Sequence, residues 1–191
     1  ENFQLGMELT GKYTVFAEGA RGHLGKQLIT KYKLDDGRDP ASWAIGIKEL
    51  WEVPADKAQP GLVVHTAGWP VEDGSFAGGF LYHLEGNKVT LGYVVGLDYQ
   101  NPWSLPKLVF PGGALIGCDA GFLNAARIKG SHAAIKTGML AAEAIADALA
   151  SGRSQDELTA YPAAFEKSWL HAELMQTRNF KGWFKKGPTV G

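Results

Sequence analysis

Short apolar runs alternate with turn-forming residues between positions 44 and 98. The runs are AIGIKELWEVP, LVVHTAGWP, SFAGGFLYHLE and VTLGYVVGLDY, and the turns fall at Pro54, Pro60 with Gly61, Asp73 with Gly74, and Gly86 with Asn87. Runs rich in β-branched and aromatic residues between such turns predict the strands of an antiparallel sheet. Gly86 with Asn87 has the composition of a two-residue hairpin turn.

A strand, a glycine-rich loop and a long helix are predicted between residues 111 and 149. The apolar run 114–116 predicts the strand, a loop follows from Gly117 to Gly130, and an alanine-rich helix, expected to be largely buried, begins near Ser131. Free N–H groups and the helix dipole point the same way at such a helix start, so it suits an anion or a polarised ring. The loop matches neither GxGxxG nor a loop ending in GK[ST], so these residues alone identify no nucleotide.

The segment before the sheet predicts a strand pair and a helix. Residues 7–18 contain the run YTVFA, which predicts a hairpin or strand pair, and Leu24 and Leu28 are expected to face inward from a short helix. Glu18 with Gly19 ends the strand. As a local pattern this pair is a strand-to-helix turn in which Gly19 has a positive φ.

The segment after the long helix predicts further helices. Gly152 is expected to end the long helix, and residues 154–157, SQDE, have the pattern of a capping box that opens the next one. Pro162 is expected to interrupt that helix. Phe165, Trp169 and Leu174 are expected to pack inside, and Glu166, Lys167, Glu173 and Arg178 to lie mostly outside.

Composition indicates a globular protein and excludes several functions. The 191 residues are 45% hydrophobic and 20% charged, enough for one or two modest cores, and the net charge of -1 gives no electrostatic case for nucleic acid. One cysteine, Cys118, excludes an internal disulfide and a multi-cysteine cluster built from this chain alone. We find neither an apolar run of 18 or more residues nor a start typical of a signal peptide.

No catalytic acid, base or nucleophile is predicted, and no metal ligand. The five histidines, His23, His65, His83, His132 and His171, stand in no metal-type pair and in no nucleophile motif. Cys118 lies in the central loop and could be a nucleophile, but no partner that would lower its pKa is evident. A small buried residue beside a bound cofactor is the favoured interpretation.

Several motifs resemble one family of flavoproteins. In order they are GMEL, FAEGARGHL, GIKELWEVP, HTAGWP, GGFLYHL, GLDYQNPW and LPKLVFPGGALIGCDAGFLN. Together they resemble the electron-transfer flavoprotein:ubiquinone oxidoreductases. The run IGCDAGFLNAARIKGSHAAIKTG is similar to the second FAD-contacting segment of the wider glutathione-reductase-like superfamily. Many of those proteins have Gly-Asp where this chain has Gly117 and Cys118, and Asp119 follows one place later.

The resemblance implies an FAD site in two segments of the chain. The strand end before the first helix would lie near the adenosine and pyrophosphate, and the loop with the helix start near the ribityl chain and the flavin ring. The implied cofactor-binding residues are Glu18, Gly19, Gly117, Cys118, Asp119, Gly121, Asn124, Lys129, Gly130 and Ser131.

The resemblance also implies a quinone site on the third strand, at Phe76, Ala77 and Gly78, where backbone groups would bind a quinone carbonyl. The family often has Tyr-Gly-Gly there. A glycine pair inside a strand is equally typical of a β-bulge or of a tightly packed aromatic ring. The apolar residues 69–71 near Phe76 form either a membrane-facing patch or part of a core.

The implied fold class is α+β, with half of an FAD domain of the glutathione-reductase-like type joined to an antiparallel-sheet quinone-binding domain. Residues 1–40 and 105–150 would belong to the FAD domain, residues 41–104 to the ubiquinone-binding domain, and residues 151–191 to C-terminal helices. The family typically has a few dozen more residues near Trp103. The chain is therefore expected to be a fragment, or to have residues missing there, and to lack the N-terminal FAD fingerprint.

The implied function is electron transfer from reduced electron-transfer flavoprotein through FAD to ubiquinone. A 4Fe–4S cluster is expected in the full-length family but not on this chain. The expected location is peripheral, on the bacterial cytoplasmic membrane or the matrix side of the mitochondrial inner membrane. Two alternatives stay open: a flavin-dependent reductase or hydroxylase of an isoprenoid or lipid, and a non-catalytic fragment that binds quinone or lipid.

Overall fold

The computed structural model describes residues 4–41, 43–68, 76–96, 105–127 and 129–177. Its elements in chain order are β1 (Thr14–Phe16), α1 (His23–Tyr32), β2 (Ala44–Glu52), β3 (Val63–Ala67), β4 (Ala77–His83), β5 (Lys88–Gly96), β6 (Val109–Phe110), β7 (Gly113–Leu115), α2 (Ser131–Ala150), α3 (Ala160–Glu166) and α4 (Trp169–Thr177). They divide into two compact units, whose described parts are residues 4–38 with 105–177, and residues within 39–96. Helices combined with antiparallel strands agree with the predicted α+β class.

The first unit contains a three-stranded sheet with the order β1-β7-β6. β1 runs parallel to β7, with Thr14 opposite Gly113, and β6 runs antiparallel to β7. The hairpin predicted for residues 7–18 is therefore wrong, because one strand forms there and its partner is distant in the sequence. All three residues of β7 are buried, whereas Met7 and Leu9, in the predicted first strand of the hairpin, are exposed.

The core of the first unit joins β6 and β7 to α2, α3 and α4. Its largest fully buried side chains include Tyr161, Phe122, Leu115, Leu158 and Leu170. α2 buries one face, made by Ala133, Thr137, Leu140, Ala141, Ala144 and Ala148. Ile135 and Met139 point away from that face and are 65% and 51% exposed, so the expectation of a largely buried helix is wrong for them.

α1 faces the core differently from the prediction. Leu28 packs against the core as expected, but Leu24 is half exposed. The fully buried residue of α1 is Gly25, which has no side chain. The helix backbone therefore lies close to its neighbours at this position.

The C-terminal helices also correct the prediction. Gly152 has a φ of 74° just after α2, as expected of a glycine that ends a helix. Residues 154–157 open no helix, because the Asp156 carboxylate instead accepts hydrogen bonds from Tyr13 and Arg153 and α3 begins only at Ala160. Pro162 lies in the first turn of α3, where a missing N–H costs no hydrogen bond, so it does not interrupt this helix. Trp169 is half exposed rather than buried.

The second unit is a four-stranded antiparallel sheet with the order β2-β5-β4-β3, as predicted from the apolar runs. Gly86 and Asn87 have φ values of 68° and 59° between β4 and β5, which is the backbone that a type I′ hairpin turn requires. Every residue of β2 is exposed. Within the described residues, β2 is an edge strand.

Candidate functional site

The loop that begins at Gly117 is fixed to the start of α2. The N–H of Gly117 donates to Oγ1 of the fully buried Thr137 at 3.0 Å, and a Cβ at Gly117 would lie 3.1 Å from that of Ala134. Gly130 is the N-cap of α2 and has no side-chain cap hydrogen bond, and the Cys118 sulfur lies against it. Gly117, Cys118, Gly130 and Ser131 therefore lie together at the positive end of a 20-residue helix.

Cys118 is half buried in this loop. Burial raises the pKa of its thiol, which lowers the fraction present as thiolate at neutral pH. The thiol is correspondingly a weak nucleophile. The interpretation of a small buried residue beside a bound cofactor stays a prediction, and the side chain is half buried rather than fully buried.

Glu18 and Asp119, which are far apart in the sequence, meet at the start of α1. Glu18 Oε2 accepts hydrogen bonds from the N–H groups of Leu24 and Gly25, both at 2.8 Å, so its side chain caps this helix. A Cβ at Gly25 would lie 2.8 Å from Asp119 Cγ and closer still to Oδ1. Gly19 has a φ of 81°, as predicted for the turn. Glycine at position 25 lets the helix backbone lie against Asp119, and a Cβ at Gly22 would meet both carboxylate side chains.

Asp119 is a buried carboxyl with an unused oxygen. Asp119 is 9% exposed, and its Oδ2 has no hydrogen-bond partner among the described residues. Burial raises its pKa above the usual value, and the negative charge of Glu18 raises it further. Oδ2 is therefore a buried acceptor that could take one more hydrogen bond.

Asp119→Asn is expected to stabilise the chain at neutral pH by on the order of 1 kcal/mol, since it removes a poorly solvated charge beside Glu18. The pKa of Asp119 is higher in the folded chain than in the unfolded chain, where it is near 3.8. Below pH 3.8 the carboxyl is protonated in both states and ionisation costs no stability. The cost grows as the pH rises from there to the folded-state pKa and is complete above it. The gain should therefore be visible in urea unfolding at neutral pH and vanish below about pH 4. A gain that is equal at both pH values would contradict a charge effect.

Asn124 and Lys129 close the loop before α2. Their backbone groups exchange hydrogen bonds of 3.1 and 3.3 Å, and Gly121, with a φ of 86°, makes the preceding turn. The Asn124 side chain is completely buried, and its Nδ2 donates to Glu173 Oε1 at 2.7 Å. Glu173, predicted to lie outside, has a side chain only 13% exposed because this loop and α2 supply its partners. The helical pattern of its own segment gave no signal of this contact.

The quinone candidates lie at the start of β4. The ladder with β5 runs without interruption from Ala77 to His83, so Gly78 makes no bulge. A Cβ at Gly78 would lie 2.6 Å from the carbonyl oxygen of Thr66, which is a sufficient structural reason for glycine there. Ala77 is buried, and the carbonyl of Phe76 accepts a hydrogen bond of 2.7 Å from the N–H of Gly96.

A row of small residues crosses the sheet at Gly78. The register places Ala67, Gly78, Val94 and Gly46 side by side on one face. Two rings stand on either side of this row: Phe76 lies against Gly96, and Phe80 covers Gly92, where a Cβ would lie 2.6 Å from Phe80 Cε1. We call the row and its two rings the small-residue slot. The slot has a flat, apolar base, formed by the row of small residues, against which a planar ring can pack.

Two predicted features, residues 69–71 and the junction at Trp103, lie outside the described residues. In the part of the chain that is described, no three or more His, Cys, Asp or Glu side chains are grouped as a metal site would need. Among the described helices, none combines the length and apolar character needed to cross a membrane.

Comparison with known proteins identifies the class. A family model described as "ETF-QO, ubiquinone-binding" matches residues 43–111, which include all four strands of the second unit. The second unit therefore resembles the quinone-binding part of a flavoprotein oxidoreductase.

Several known proteins that align with nearly the whole chain share one name. Electron transfer flavoprotein-ubiquinone oxidoreductase of Pseudomonas aeruginosa is 50% identical over 97% of this chain and 41% of its own length. The mitochondrial proteins of that name from Dictyostelium discoideum and Bos taurus are each 40% identical over 94% of the chain, and over 38% and 36% of their own lengths. The predicted resemblance to this family is confirmed. The chain spans about two fifths of the length of these relatives.

Proposed function

We propose that this chain is part of an electron-transfer flavoprotein:ubiquinone oxidoreductase. In this proposal the four-stranded sheet binds ubiquinone, and the loop at Gly117 with the starts of α1 and α2 contacts FAD. Electrons would pass from reduced electron-transfer flavoprotein through FAD to ubiquinone. The observation that carries the proposal is that residues 43–111 match the ubiquinone-binding family while relatives with this name align along both units.

The residues of the first unit fit a flavin cofactor. Asp119 Oδ2, buried and without a partner among the described residues, can accept a hydrogen bond from a hydroxyl group of the ribityl chain. The N–H groups at the start of α2, where Gly130 provides no side-chain cap, can stabilise negative charge at the pyrimidine end of a flavin. Bound FAD would supply the ability to accept and release electrons. The chain itself would supply orientation and electrostatics.

The small-residue slot fits the ring of a quinone. Its floor presents Ala67, Gly78 and Val94 with little side-chain bulk, and the rings of Phe76 and Phe80 border it. A flat apolar ring can lie against such a floor and bury area from water. Gly78 lies in β4, which is hydrogen-bonded to β5 on one side and to β3 on the other. Because the sheet already uses backbone groups of this strand, quinone affinity would depend on the apolar contact as well as on backbone hydrogen bonds to the quinone.

A peripheral place on the inner membrane follows from a substrate with a long isoprenoid tail. Apolar side chains on the exposed strands are consistent with it, including Ile45, Ile47, Leu50, Trp51 and Val63, each more than half exposed. An iron–sulfur cluster does not fit this chain's own residues, because such clusters are held by several cysteines and the sequence has one. We propose residues 1–40 with 105–150 as FAD-domain segments, 41–104 as the quinone domain and 151–191 as C-terminal helices.

The visible spectrum of the purified chain tests the cofactor assignment. After incubation with FAD and desalting, we expect retained flavin absorption in the wild-type chain. A short-chain ubiquinone analogue should quench tryptophan fluorescence in a saturable way, whether or not FAD is present. A chain that retains no flavin would contradict the cofactor site for these residues, and one that binds no quinone analogue would contradict the quinone site.

The second candidate is a quinone- or lipid-binding protein without FAD, since the family model that matches the chain is described by ubiquinone binding alone. Quinone binding without flavin retention would support it. No contact among the described residues favours a reductase or hydroxylase of isoprenoids.

A further inference from the structure

Glu173 on α4 gathers three partners from one short stretch of the chain. Its Oε1 accepts hydrogen bonds from Asn124 Nδ2 at 2.7 Å and from His132 Nε2 at 2.8 Å. Its Oε2 lies 3.4 Å from the guanidinium of Arg127. All three partners lie within residues 124–132, which join the glycine-rich loop to the first turn of α2. One carboxylate, whose side chain is 13% exposed, therefore contacts both ends of this segment.

The segment has further ties that depend on the same residues. Asn124 Oδ1 accepts a hydrogen bond of 3.2 Å from the N–H of Arg127, and the Asn124 backbone pairs with Lys129. The His132 ring stacks on Trp169, with 6.0 Å between the centroids. Asn124 can keep its buried orientation only if its Nδ2 keeps an acceptor, since an unmade hydrogen bond at a buried amide is costly.

We propose that Glu173 is the positioning residue of the segment 124–132, and that through this segment it sets the affinity of the α2 start for a flavin cofactor. The effect on flavin affinity rests on the proposed function. Glu173 itself would touch no cofactor atom. It acts through Asn124 and His132, which flank Lys129, Gly130 and Ser131.

A carboxylate suits this position better than a neutral amide. Burial alone raises the pKa of Glu173, but hydrogen bonds from Asn124 and His132 and the charge of Arg127 outweigh burial and place the pKa below its usual value. Glu173 is therefore ionised at neutral pH, accepts hydrogen bonds from Asn124 and His132, and forms an ion pair with Arg127. In a glutamine one oxygen could still accept from Asn124 and His132, but the negative charge is lost and the amide N–H groups would face the guanidinium of Arg127, which also donates.

Hydrogen–deuterium exchange on the chain without cofactor tests whether Glu173 positions the segment. In Glu173→Gln we expect the amides of Arg127 and Lys129 to exchange about tenfold faster, since the segment opens locally. Glu166→Gln, an exposed glutamate on α3, is the matched control and should leave this exchange unchanged. Glu173→Asp keeps the charge on a shorter side chain and should retain part of the protection. Equal exchange in Glu173→Gln and the wild-type chain would overturn the proposal.

FAD affinity tests whether the segment controls cofactor binding. We expect Glu173→Gln to bind FAD about tenfold more weakly than Glu166→Gln, while the urea midpoint of the chain shows that it remains folded. Faster exchange with unchanged FAD affinity would overturn the effect on the cofactor. A wild-type chain that binds no FAD would overturn the proposed function, whereas the exchange comparison, which needs no cofactor, would still decide whether Glu173 fixes the segment. If Glu173→Gln unfolds, exchange would be fast everywhere, and Glu173→Asp would then decide between the outcomes.

Discussion

Gly25→Ala is expected to destabilise the chain by about 1–3 kcal/mol, although alanine is the better helix former. The added Cβ would lie 2.8 Å from Cγ of Asp119, which is buried and has little space in which to move aside. α1 or the loop at Asp119 must therefore shift. Because Asp119 is the proposed acceptor for a ribityl hydroxyl, FAD affinity should fall by at least about tenfold.

Gly138→Ala is the matched control within a helix. The nearest atom to its Cβ would be Cδ1 of Ile116 at 3.6 Å, which is an ordinary contact. This change should stabilise the chain by about 0.5–1 kcal/mol, as expected for alanine in a helix interior. Urea unfolding followed by circular dichroism measures both variants. Effects of opposite sign would support the close approach at Gly25, whereas stabilisation by both changes would show that α1 and Asp119 do not need a glycine between them.

The four-stranded sheet was predictable because its information is local. Each strand is a short apolar run, and the turn at Gly86 and Asn87 needs residues that tolerate positive φ, so composition marks both. The start of α2 was predictable for the same reason. A glycine-rich loop followed by an alanine-rich run marks a helix boundary without reference to any other part of the chain.

Long-range contacts were not predictable from these patterns. The partner of β1 is β7, and a parallel pair of three residues leaves no periodic trace in either segment. Glu18 and Asp119 were each predicted as candidates, but nothing in the sequence showed that they meet. Glu173 was predicted to lie outside, and the weak amphipathic pattern of α4 gives no sign of the opposite. The contacts that cover Glu173 come from a loop almost fifty residues earlier in the chain. The candidate residues were thus found one at a time, whereas their grouping required the fold.

Gly78→Ala is expected to affect both the sheet and quinone binding. Its Cβ would lie 2.6 Å from the carbonyl oxygen of Thr66 in β3, and a backbone atom of a paired strand cannot move aside as a side chain can. We expect a loss of about 1–3 kcal/mol in the free energy of unfolding. The new methyl group would also stand on the floor of the small-residue slot, between Ala67 and Val94. The affinity of the folded protein for a ubiquinone analogue should therefore fall by about tenfold or more.

Gly79→Ala separates these two effects, because neighbouring residues of a strand point to opposite faces of the sheet. Its Cβ would lie 2.8 Å from Oγ1 of Thr66, a side-chain atom, so it too should cost stability, but its methyl group lies on the face away from the slot. Binding of the analogue, measured under conditions where both variants remain folded, should be weakened by the change at position 78 and left nearly unchanged by the change at position 79. Equal weakening by both changes would indicate that quinone affinity depends on the integrity of β4 rather than on the slot. Unchanged binding in both variants would exclude the slot as the quinone site, since a methyl group on its floor must displace any ring that lies there.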